Sequence, residues 1–179
     1  KSGLRFGNAR QRVGNWNMEQ QEADQHKPVD TTQVLRRFRV VYSAIRGHFQ
    51  EIEKKVGLGG AQVWALSVVR DNPGIGVGGV AELLDIHQST ASNLVKALMK
   101  KQLLAQERST EDRRNVHLRI EPAGLAILEQ VPGPFEGVLP RALAALPQQT
   151  LARLDDDLGT LIDILHADES AAGIPLAEL

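Results

Sequence analysis

The chain contains no cysteine. Disulfides, thiolate metal sites, cysteine nucleophiles and thiol-based redox sensing are therefore excluded. Its longest apolar runs fall far short of the ~18 residues that a membrane span needs, so no membrane role is expected. A leader is not expected either. Residues 1–17 are basic, but Gly14, Asn15 and Asn17 interrupt them where an apolar signal core would have to lie. An excess of charge of one sign is also missing, since 21 Lys and Arg face 22 Asp and Glu for a formal charge of −1. What remains is ordinary for a globular protein, with 42% hydrophobic and 24% charged residues in a chain of 179. That length suits about one domain. A soluble, cytoplasmic protein in a reducing compartment is the expectation.

The near-zero charge conceals a division. Residues 121–179 carry ten acids and two bases, a net −8, which leaves +7 on residues 1–120. Such asymmetry points to a basic working surface and an acidic part held away from it. Two solvated helix faces would give the same numbers, so the division raises nucleic acid as a partner without selecting it.

Residues 1–29 mix Gly, Asn, Gln and charge without period and read as a flexible arm, with Met18 a candidate start inside it. From Asp30 the pattern changes. Val34, Phe38, Val41, Ile45, Phe49, Ile52 and Val56 recur at three- and four-residue steps, which predicts one amphipathic helix. Asp30 with Gln33 resembles a capping pair, and Gly57 supplies the stop. A stripe that long needs a partner, and a second subunit would provide one.

A shorter helix is predicted at about 61–71, closed by Asn72-Pro73-Gly74. Two more follow, Gly78 to Asp85 and Gln88 to Lys101, separated by a tight turn at Ile86-His87. Val80, Leu83 and Leu84 are expected to face inward from the first, and Ala91, Leu94, Val95 and Leu98 from the second. This is the spacing of a helix-turn-helix. Leu103 to Glu107 and Val116 to Ile120 read as strands around the charged loop 108–115, with Val116, Leu118 and Ile120 inward and His117 and Arg119 outward. A hairpin placed there is a wing. Pro122 opens the next helix at its first-turn position, and Pro132-Gly133-Pro134 breaks it. Phe135 to Leu146 resumes with a kink expected at Pro140. A final helix from about Pro147 aligns Leu151, Leu154, Leu158, Leu161, Ile162 and Leu165. The last dozen residues read as a frayed tail.

The expected fold is thus mainly α with a small β-hairpin wing: a winged helix-turn-helix domain flanked by N- and C-terminal dimerisation helices. The boundaries are 1–29 for the arm, 30–57 for the first dimerisation helix and 58–121 for the winged domain. The C-terminal dimerisation helices take 122–168 and the tail 169–179.

The second helix of the pair carries Gln88, Ser89, Thr90, Ser92, Asn93 and Lys96, with Lys100 and Lys101 at its end and no acid. A helix entering the major groove needs short polar side chains near its N-terminus. Gln and Asn pair bidentately with adenine, while Ser and Thr reach base edges or phosphate. A capped surface helix, with Ser89 and Thr90 satisfying its first amides, explains that composition equally well in isolation. The turn before it and the hairpin after it, both in register, favour DNA. Arg108, Arg113 and Arg114 on the hairpin loop suit a narrow minor groove, whose negative potential attracts Arg. His87 reads as structural or as a phosphate contact.

Chemistry of other classes finds little support. Gly74-Ile75-Gly76-Val77-Gly78-Gly79 lacks the preceding strand and the Lys of a phosphate loop. Asp155-Asp156-Asp157 point about 100° apart on a helix and do not converge on a metal. The five His have no metal-ligand spacing. No enzyme, no metal and no cofactor are expected. A winged helix used only for protein contacts is the alternative, but its helix should show an apolar patch rather than polar groups and lysines.

Residues 34–166 resemble the MarR family of winged helix-turn-helix transcription regulators. The resemblance rests on Leu58-Gly59-Gly60-Ala61-Gln62-Val63-Trp64, Val80-Ala81-Glu82-Leu83-Leu84 and Gln88-Ser89-Thr90-Ala91-Ser92-Asn93-Leu94-Val95. It is most specific at Asp112-Arg113-Arg114 followed by Ile120-Glu121, similar to the family's D-x-R-x5-L-T wing signature. Gly78-Gly79 and Glu121 depart from the usual Ser or Thr caps. The resemblance implies a ligand-responsive homodimeric repressor on a palindromic operator in double-stranded DNA. Arg114 would insert into the minor groove and Asp112 would hold the wing geometry. It also implies a pocket for a small aromatic or phenolic ligand, for which Tyr42, Arg46, His48 and Trp64 are the candidates. From the residues alone, Trp64 reads as core, and Arg46 and His48 as solvated surface. Ala65 and Leu94 stand where the urate-sensing branch has an acid and an Arg, which speaks against urate.

Overall fold

The computed structural model describes residues 29–108 and 116–178. The elements run α1 (Thr31–Val56), α2 (Gly60–Asp71), α3 (Val77–Leu84), α4 (Gln88–Lys100), β1 (Leu104–Arg108) and β2 (Val116–Ile120). After them come α5 (Pro122–Gln130), α6 (Val138–Ala144), α7 (Gln148–Leu165) and two 3₁₀ turns, Glu169–Gly173 and Leu176–Glu178. The fold is mostly helical with one two-stranded antiparallel sheet. No helix among the described residues is long and apolar enough to cross a membrane.

The chain divides into two units, 1–41 and 42–179. In the first, α1 starts where Asp30 caps it, its carboxylate accepting the Thr32 N–H at 3.2 Å. Val34, Leu35, Phe38, Val40 and Val41 all lie exposed there.

The second unit holds the core. Apart from Pro175, every buried apolar side chain among the described residues falls between Ile52 and Val131. α2 is its centre, with Val63, Ala65 and Leu66 sealed and contacts to α3, α4, α5 and β2. Ser67, the one buried polar residue among those described, donates its hydroxyl to the Trp64 carbonyl at 2.7 Å, which removes the cost of burying it. Gly124 lets α5 cross close over the start of the hairpin. A Cβ at this position would meet the Leu103 carbonyl oxygen at 2.6 Å.

Several expectations change. Leu83 is 53% exposed and Ala81 takes the inward position beside Val80 and Leu84. α6 begins only at Val138, after Gly137 at φ 101°. Pro140 therefore sits in its first turn, where a missing N–H costs no hydrogen bond, and no kink arises. α7 buries none of its side chains. Its apolar stripe is present, with Leu151, Leu154 and Leu161 half-buried and Leu158, Ile162 and Leu165 exposed. Of the last dozen residues, 168–178 are ordered rather than frayed: they include the two 3₁₀ turns and dock on the α3–α4 turn.

Candidate nucleic-acid interface

The α3–α4 turn is built from backbone geometry. Asp85 closes α3 in the left-handed region at φ 52°, and Ile86 donates back to the Ala81 carbonyl at 3.0 Å. His87 is the N-cap of α4 and offers no side-chain cap. The four inward residues of α4 behave as expected: Ala91, Leu94, Val95 and Leu98 are 3% exposed or less.

At 100° per residue, fixing that face fixes its opposite. Ser89, Asn93, Lys96 and Lys100 fall within a wedge of roughly 60°, and all four are exposed. Gln88 is exposed beside them, and Ser92 and Thr90 are half-buried on the flanks. The wedge contains no acid and no apolar side chain. Lys101 departs from this group. It follows the last helical turn on the side nearer the core, and its ammonium donates to the Gly57 carbonyl at 3.2 Å. That bond ties the end of α4 to the end of α1, where a lysine satisfies an orphan carbonyl. Lys101 is thus exposed but engaged, whereas Lys96 and Lys100 bond to nothing among the described residues.

The hairpin pairs Leu104 with Ile120 through to Arg108 with Val116. Arg113, Arg114 and Asp112 lie outside the described residues, as does the side chain of Arg108. What the structure does describe is the wing's base. Arg119 binds Glu107 across the strands and Glu121 at 2.8 Å. The hydrogen bond to Glu107 and then the charge of Glu121 push its pKa above the ordinary arginine value. Leu118 donates its N–H to the Ile75 carbonyl at 2.8 Å, and the His117 ring bonds the Gly74 carbonyl. The loop before α3 therefore anchors the wing. His117, expected only to face outward, is half-buried by this contact. The Asn72-Pro73-Gly74 turn is legible in the sequence, but its contact with His117 is not.

The ligand candidates do not converge. Tyr42 and Arg46 line a cavity of about 340 Å³ with Phe49 and Gln50. Trp64 lines a neighbouring one of about 330 Å³ that shares Phe49 and Gly60. His48 points elsewhere, bonding the Pro134 carbonyl at 3.2 Å beside a small recess with Ile52 and Val131. Phe49, read in the sequence only as part of the stripe, lines both the Tyr42 and the Trp64 cavities. Among the described residues no group of three or more His, Asp or Glu could hold a metal ion.

Residues 56–115, which contain the turn, α4 and the Asp112-Arg113-Arg114 part of the wing signature, match the model of the MarR family. This segment is similar to a MarR-family winged helix-turn-helix. A transcriptional regulatory protein for the hcr operon of Thauera aromatica is 31% identical over 101 residues, 56% of each chain. The alignment thus spans a little over half the length of that relative. The HTH-type transcriptional repressor MdtR of Bacillus subtilis is 22% identical over 73% of this chain and 84% of its own. Among solved structures, a MepR-like protein with pseudoligands matches with TM-score 0.52 and 18% identity, over 74% of this chain and 95% of that one. The MepR–DNA complex of S. aureus matches with TM-score 0.51 and 16% identity, over 76% and 96%. These structural matches show that a shared fold extends beyond the 56–115 segment, over about three quarters of the chain.

Proposed function

We propose that this MarR-family chain is a sequence-specific DNA-binding transcription regulator. It acts as a homodimeric, ligand-responsive repressor on a palindromic operator. The observation that carries this reading is the exposed wedge of α4, where Ser89 and Asn93 stand near the N-terminal end and Lys96 and Lys100 follow along one line. Hydrogen-bonding groups first and cations behind are the order in which a groove-bound helix meets base edges and then phosphates. A protein-contact module needs an apolar face there, and the wedge has none.

One helix and one wing make few contacts. Two heads spaced ~34 Å apart, one turn of DNA, read both halves of a palindrome. The exposed stripes of α1 and α7 are the apolar surfaces available to join them, and the acids of 121–179 keep that end away from phosphate. Occupancy of an operator overlapping a promoter then blocks transcription. A ligand relieves the block by favouring a dimer whose two helices no longer fit successive grooves, through its differential affinity for the two states.

The test is the salt dependence of binding to duplex DNA. Each phosphate contact contributes about 0.9 to the slope of log affinity against log salt. Lys96→Ala and Lys100→Ala should each flatten that slope by roughly one unit in each subunit, on all sequences alike. Lys101→Ala should change it less, because its ammonium is held by Gly57. Unaltered slopes for Lys96→Ala and Lys100→Ala would remove α4 from the interface.

A further inference from the structure

The segment after α7 ties two parts of the second unit together. The Asp168 carboxylate accepts the Ser170 N–H at 2.9 Å and closes the first 3₁₀ turn. From there the chain reaches the turn that starts α4. The His87 N–H donates to the Gly173 carbonyl at 3.1 Å. The His87 ring nitrogen Nε2 lies 3.0 Å from the Ser170 carbonyl oxygen and, facing a pure acceptor, is the donor. The approach is tight enough that a Cβ on Gly173 would fall 2.5 Å from the His87 ring. Pro175 is buried, and Leu176 and Ala177 then line both cavities that share Phe49 and Gly60.

Residues 168–178 therefore touch the cavity wall at one end and the N-cap of the reading helix at the other. α4 has no side-chain cap of its own, so the strap supplies the turn with its tertiary restraint. The geometry points to a coupling device: the docked strap holds the start of α4 in its DNA-reading position, and an apolar ligand entering beside Phe49 lifts Leu176 and Ala177 and releases His87. This deepens the proposed function, on which its consequence for DNA rests. The ligand binds better with the strap displaced and DNA better with it docked, so each weakens the other reciprocally.

Three variants test it: a chain ending at Asp168, Gly173→Val at the turn, and Ala177→Asp at the cavity. Amide hydrogen exchange at His87 and affinity for a duplex selected by the wild-type protein are measured for each. All three should speed His87 exchange, because local opening governs the protection of that amide. All three should weaken DNA binding by about tenfold as the competent population falls. Ala177→Asp is decisive, since only a strap that moves as one unit carries its effect to His87. Wild-type exchange at His87 in that variant would overturn the inference. So would tighter DNA binding by the shortened chain, which would make the strap's acids a shield. If exchange responds as expected while the wild-type protein selects no duplex at all, the strap stands and the DNA reading of α4 fails.

Discussion

Ile162→Glu combined with Leu165→Glu should convert the protein to a monomer and lower its affinity for DNA by two to four orders of magnitude. Both side chains lie on the α7 stripe, and both are exposed in the single chain, at 40% and 65%. Because α7 has no fully buried residue and neither of these two belongs to the core, the substitutions leave the core of the second unit intact. Their cost falls instead on an interface, where two carboxylates from each subunit would be desolvated without partners. The loss follows from the arithmetic of two linked sites: joining two heads raises apparent affinity by roughly 10²–10⁴ without any new contact. Sedimentation should report the monomer and a binding titration the loss. A monomer that keeps wild-type affinity would detach DNA binding from dimerisation.

Leu98→Ala should have the largest effect on stability. Leu98 is fully buried where α4 meets α2 and β1. Truncating such a leucine costs about 2–5 kcal/mol from lost transfer energy and the cavity left behind. Against a total of roughly 5–15 kcal/mol, that is a large share. With a urea slope of about 1–3 kcal/mol per molar, the unfolding midpoint should fall by one to two molar. Lys96→Ala, on the opposite face of the same helix, should stay within about 0.5 kcal/mol of wild type. The comparison is made at one protein concentration, because the stability of the proposed dimer would depend on it. Equal effects of the two would mean that the inward and outward faces of α4 have been confused.

The sequence announced the helix-turn-helix because its pattern is long enough to be unambiguous. On α4, Ala91, Leu94, Val95 and Leu98 span two turns and admit one face only. On the eight residues of α3 the same rule fails. Val80 and Leu84 are compatible with a face that includes either Leu83 or Ala81, and the larger hydrophobe is the natural but wrong choice. Lys101 was assigned by charge alone, whereas its angular position and the free carbonyl of Gly57 decide its partner. The C-terminal strap left less trace. It is held chiefly by its backbone carbonyls at Ser170 and Gly173, and a carbonyl acceptor has no side-chain signature. Only Asp168 before Ser170, a local capping turn, and Pro175 hinted at order. Of the ligand candidates on α1, 100° steps send His48 away from the surface that Tyr42 and Arg46 share.

The most direct test of the reading head is the base preference of Asn93→Ala. Wild-type and variant protein are each used to select duplexes from a random pool, and the recovered sequences are compared position by position. A bidentate amide contact discriminates its base by about 1–3 kcal/mol, or roughly five- to 150-fold. The variant should therefore lose preference at one or two positions in each half-site and keep it elsewhere, including the spacing of the halves. Identical preferences for the two proteins, or an equal loss at every position, would contradict the assignment of α4 as the element that reads sequence.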